Sequence, residues 1–71
     1  MTHATRKNVG QRVRALREES NLTQEQLALM TGVGRSHLAK VEAGNRNATI
    51  DFMEKGALGL GVTLGQLFEG L

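Results

Sequence analysis

The chain has 71 residues, with nine Lys/Arg against seven Asp/Glu and a net charge of +2, a length that fits one domain, since domains run from roughly 50 to 250 residues. Cysteine is absent and hydrophobic residues make up 39%, which excludes a disulfide framework, a zinc site built on thiolates and a disordered chain, and fits a reducing cytoplasm. No apolar stretch approaches the ~20 residues of a membrane span, residues 1 to 5 lack the apolar run of a secretory signal, and two aromatics, Phe52 and Phe68, are too few for a single-strand stacking platform.

Residues 1 to 5 read as a flexible N-terminal tail and residues 6 to 71 as the domain. Val9, Val13 and Leu16 recur at i, i+4 and i+7 with charged residues between them, so residues 6 to 19 form an amphipathic first helix ending near Ser20-Asn21. Thr23-Gln24-Glu25-Gln26 is a capping box, in which the threonine hydroxyl takes a backbone N–H and Gln26 reaches back. It opens a short helix from 24 to about 30 with Leu27 and Ala28 inward, ended by Gly32. A third helix runs from about 35 to 43 with Leu38 and Val41 on its apolar face. Asn45-Arg46-Asn47-Ala48 is a polar loop. Thr49 caps a fourth helix carrying Ile50, Met53, Ala57 and Leu60 at helical spacing, and Gly61 ends it. Thr63-Leu64-Gly65-Gln66 repeats the capping box before a last short helix with Leu67 and Phe68. No segment alternates with period two, so the fold class is all-α, with five helices.

Residues 24 to 43 carry the functional signal. Two short helices joined by a tight turn need a small residue at their crossing, which Ala28 supplies, and a residue that accepts positive φ, which Gly32 supplies four positions later. Val33, Leu38 and Val41 then fill the crossing. An αα-hairpin in any helical bundle would use such an Ala and Gly, but the remaining face of the third helix is Arg35, Ser36, His37 and Lys40, with no acid among them. This is the pattern of a helix-turn-helix, whose second helix enters the major groove of double-stranded DNA with its N-terminal residues on base edges.

The run from Val9 to Leu71 resembles the Cro/repressor-type (Xre) helix-turn-helix family. The resemblance rests on Arg12-Val-Arg-Ala-Leu-Arg17, Leu22-Thr-Gln-Glu-Gln-Leu-Ala28, Gly32-Val33, His37-Leu-Ala-Lys-Val-Glu42 with Gly44, and Leu60-Gly-Val-Thr-Leu64 with Leu67-Phe68. It implies a five-helix lambda-repressor-like domain and a transcriptional regulator in the cytoplasm, at the nucleoid. That regulator would act as a homodimer on a pseudo-palindromic operator, repressing by blocking RNA polymerase or activating by touching it. It further implies that Gln24 contacts the DNA backbone or a base edge and that positions 35, 36 and 40 read bases. The chemistry agrees, because Arg35 can grip guanine bidentately and Lys40 can approach the same acceptors or a phosphate. His37 is DNA-facing or solvated. Asn45, Arg46 and Asn47 follow the recognition helix and are expected along a phosphate strand. Gly44-Asn-Arg-Asn47 with Thr49-Ile50 also resembles the controller proteins of restriction–modification systems. Arg17 and Glu42 match a family pair that bridges the first and third helices; otherwise both are solvated surface charges.

The same residues argue against other classes. His37 and His3 are the two imidazoles and stand far apart in sequence, so no metal site, cofactor or small-molecule ligand is expected. No nucleophile–base set assembles, so no enzymatic activity is expected. Competing readings are an antitoxin that binds its operator and a toxin, and an interaction module that has lost DNA binding.

Departures from the family are Gly34 where Ser or Thr usually caps, Ala48 where Pro is common, and Gly56 and Gly59 inside the fourth helix. The two glycines either let another helix approach or simply weaken their own. Phe52 and Leu58 fall where the family is polar, which suggests a partner. With Leu64, Phe68 and Leu71 they form the expected dimer interface, which also answers the need of so small a domain for outside support. Residues 1 to 47 carry eight Lys/Arg and four Asp/Glu, whereas residues 48 to 71 carry one and three. The basic charge therefore lies with the helix-turn-helix.

Overall fold

In the computed structural model, which describes residues 1–71, local signals set most element boundaries. The helices are α1 (His3–Glu19), α2 (Gln24–Thr31), α3 (Arg35–Glu42), α4 (Ile50–Leu60) and α5 (Leu64–Leu67). Thr23 and Thr63 each form a complete capping box with the Gln three residues on, and Thr49 caps α4 by accepting from the Phe52 N–H. Gly32, at φ +74°, ends α2 in the left-handed region that side-chain-bearing residues avoid.

The first helix begins earlier than the sequence suggests. Residues 3 to 5, assigned to a tail, are helical because the Thr2 hydroxyl accepts from the Thr5 N–H. Thr5 is not a Glu or Gln and cannot complete a capping box, so the start carries only half of the usual signal.

All five helices surround one core of Val9, Val13, Leu16, Leu27, Ala28, Leu38, Val41, Ala48, Phe52, Met53, Ala57 and Leu67, with Leu22, Val33, Leu60, Val62, Leu64 and Phe68 packed at its margin. Five of these side chains (Leu27, Leu38, Val41, Met53 and Leu67) are essentially removed from water, each worth about 1.5–3 kcal/mol of transfer free energy. The buried face of α4 is rotated from the expected one. Ile50 is 69% exposed while Phe52 is 5% exposed. Phe52 belongs to the core, and the His37 ring of α3 makes a T-shaped contact with it, 5.2 Å between centroids.

At the other end of the core, α5 is a single turn whose Gln66 carbonyl accepts the Glu69 backbone N–H at 3.2 Å. Arg12 of α1 adds two more donors, with Nε to the Leu67 carbonyl at 3.1 Å and Nη2 to the Gln66 carbonyl at 2.7 Å. An arginine at a helix C-terminus satisfies both the orphan acceptors and the helix dipole.

The two glycines of α4 play different parts. A Cβ on Gly59 would sit 2.6 Å from Thr31 Cγ2 and 3.3 Å from Leu27 Cδ1, so this glycine admits α2 against α4. A Cβ on Gly56 would meet nothing within 4 Å. Gly56→Ala should therefore stabilise the domain by about 0.5–1 kcal/mol, read as a melting temperature several degrees higher. An unchanged or lower melting temperature would show that the added methyl is not accommodated in the space beside Gly56.

Candidate nucleic-acid interface

The presentation of α3 begins with a buried ion pair. Arg17 and Glu42 are 9% and 8% exposed, and they meet as fork on carboxylate: Arg17 Nε to Glu42 Oε2 at 2.8 Å and Nη2 to Oε1 at 2.9 Å. Arg17 Nη1 donates to the Leu22 carbonyl at 2.8 Å, and Gln24 Nε2 donates to Glu42 Oε1 at 3.0 Å. The Glu42 hydrogen bond, opposed by burial, holds the Arg17 pKa above its ordinary value. By linkage, that stabilisation is complete below the unfolded pKa and is lost only as strongly alkaline solution titrates the folded group. One carboxylate thus ties the end of α3 to α1 and to the first residue of α2, and Arg17 in turn holds the α1–α2 turn through Leu22. Gln24, expected at DNA, is held there by one amide hydrogen and keeps its second N–H and its carbonyl oxygen free.

With its apolar face and Glu42 buried, α3 turns Arg35, Ser36 and Lys40 to solvent. Arg14, Arg17 and Lys55 form the three ion pairs of the protein, so Arg35, Lys40 and Arg46 have no carboxylate partner. Gly34 precedes α3 and makes no side-chain cap hydrogen bond, so the leading N–H groups of this helix stay open. The loop after α3 continues the polar surface. Asn45, Arg46 and Asn47 are exposed, and Arg46 Nη1 lies 3.5 Å from His37 Nδ1. His37 is half-buried between Arg46 and Phe52, so its position serves packing as well as the polar face.

Of the residues expected at a dimer contact, Phe52 is withdrawn into the core. Leu58 is 85% exposed and Leu71 52% exposed, while Leu64 and Phe68 are half-buried at the core margin. Leu58 lines a groove with Met30, Thr31 and Lys55, and Phe68 and Leu71 line another with Met1, Thr5 and Asn8.

Gly10 escaped the sequence reading. A Cβ there would overlap the Val41 carbonyl oxygen and come within 2.8 Å of that of Glu42, so α1 and α3 cross backbone to backbone at this residue. The available signal was its place on the apolar stripe beside Val9 and Val13, where a glycine marks a close approach rather than a weak helix.

The helix-turn-helix family profile matches residues 13–67. The chain belongs to the helix-turn-helix family of Cro/repressor (Xre) type. Members of this family are DNA-binding transcriptional regulators, and this chain is such a regulator. It is similar to Control protein C.BamHI of Bacillus amyloliquefaciens, 40% identical over 70 residues covering 97% of this chain and 86% of the relative. Similarity to Control protein C.MunI of a Mycoplasma species is 35% over 63 residues, 87% of this chain and 85% of that one. Among solved structures, the restriction-modification controller protein C.AhdI from Aeromonas hydrophila superimposes with a TM-score of 0.88 at 38% identity, covering 92% of this chain and 98% of the other. No helix is long and apolar enough to cross a membrane.

Proposed function

We propose that this helix-turn-helix protein is a sequence-specific regulator of the restriction–modification controller type, acting as a homodimer on a pseudo-palindromic operator. The observation that carries the reading is the exposed, acid-free Arg35–Ser36–Lys40 face of α3, held to the scaffold by the buried Arg17–Glu42 pair. The near full-length likeness to control proteins supports the narrower assignment. In this reading α3 enters the major groove, where Arg35 takes guanine O6 and N7, Ser36 and Lys40 take neighbouring acceptors, and His37 lies along the groove wall. Gln24, Asn45, Arg46 and Asn47 contact phosphates and fix the register. Leu58, Leu64, Phe68 and Leu71 form the contact with the second copy, which places two recognition helices one turn of DNA apart.

Footprinting on DNA upstream of the protein's own reading frame should protect two half-sites about 34 Å apart. On that site Arg35→Ala should cost about 1–3 kcal/mol and relax one base position, whereas Arg46→Ala should weaken binding to every sequence alike. Equal losses on all sequences for both variants would overturn the division of roles, and absence of any footprint would overturn the operator reading.

A further inference from the structure

The opening turns of α1 lie directly on the loop that follows α3. Gly44 has φ +77°, and a Cβ there would stand 3.0 Å from the Lys7 Cα, so the two backbones lie in close contact. From this position Arg6 extends Nη1 to the Asn47 Oδ1 at 3.4 Å, a long contact to an exposed side chain. Its Nε is screened from solvent and has no hydrogen-bond partner. A guanidinium carries five N–H donors, and this one spends a single weak bond. No carboxylate answers it: the ion pairs involve Arg14, Arg17 and Lys55, and the first turn of α1 contains no acid.

The neighbours of Arg6 point toward the recognition helix. Asn47 is next in sequence to Arg46, and Arg46 reaches His37 of α3 at 3.5 Å. Arg6, Asn47, Arg46 and His37 therefore make one polar strip from the start of α1 to α3, with Lys7 exposed beside it. The strip runs from α1 across the loop after α3 and back to His37 in the first turn of α3, with Arg6 at the end remote from Arg35. With Nε screened, the Nη donors of this guanidinium, committed to one long bond, are the ones that match the oxygens of a phosphodiester.

Building on the DNA-binding reading above, we infer that Arg6, seconded by Lys7, is a phosphate-binding element that carries the interface from the recognition helix onto α1. Arg6 positions the duplex and reads no base.

The test is a salt titration of binding to a mixed-sequence duplex of about 25 base pairs and to the footprinted operator, with thermal melts of each protein. Arg6→Ala should weaken binding about fivefold at 0.15 M salt on both duplexes, the effect of one counterion no longer released, and lower the log–log salt slope by about one. Arg6→Gln, which keeps a donor for Asn47, should lose the same slope with an unchanged melt. Arg6→Lys should keep it. A wild-type slope in Arg6→Ala and Arg6→Gln, set against a wild type that binds, overturns this inference alone, as does a loss confined to the operator. A wild type without salt-dependent binding overturns the DNA-binding reading and this inference with it.

Discussion

Glu42→Ala should lower the free energy of unfolding by about 3–5 kcal/mol in urea denaturation, because it strands the Arg17 guanidinium in the interior. Domains of this kind hold only about 5–15 kcal/mol in all, so a substantial fraction of the variant should be unfolded at physiological temperature. The size of the effect reflects the geometry of the site. Glu42 accepts three hydrogen bonds, from Arg17 twice and from Gln24 once, and with the carboxylate gone Arg17 keeps the Leu22 carbonyl alone. Removing both charges is a different perturbation. Arg17→Met with Glu42→Leu should recover most of the loss, since a well-packed apolar pair avoids the desolvation cost. The double variant should still bind DNA more weakly than wild type, because α3 and Gln24 lose the carboxylate that holds both. A loss below about 1 kcal/mol in Glu42→Ala would place the pair among surface ion pairs.

Gly10→Ala should cost about 2 kcal/mol and lower the melting temperature by about 10 °C. The added methyl collides with the carbonyls of Val41 and Glu42, which are backbone and cannot rotate away, so α3 must move off α1. That displacement outweighs the ~1 kcal/mol an alanine gains over glycine in a helix interior. The same substitution at Gly56 meets open space and should act in the opposite direction. If Gly10→Ala melts at or above wild type, α1 and α3 do not cross in this way.

What was legible in the sequence and what was not separate by range. The capping boxes at Thr23 and Thr63, the Thr49 cap and the glycine that ends α2 are interactions spanning a few residues, and each stands in the sequence where it acts. Gly10 carries no local signal of what it meets, because its reason lies in carbonyls more than thirty residues later. Phe52 looked like an exposed apolar residue because nothing local announces that the His37 ring will lie against it. Of the polar interface, the Arg35, Ser36 and Lys40 face followed from subtracting the core face of α3. The Arg6–Asn47 contact did not, since it spans 41 positions. The Gln24–Glu42 bond was missed for a related reason: motif spacing located Gln24, but a carboxylate eighteen residues away decides how its amide is oriented.

Four of the five helices start on a threonine hydroxyl that accepts an early amide, and α3 alone starts on a bare glycine. The missing hydroxyl leaves the leading amides of α3 to water. The N–H groups at the start of α3 are thus the ones that no side chain of the protein caps, so an acceptor that meets this helix displaces water and not a threonine hydroxyl.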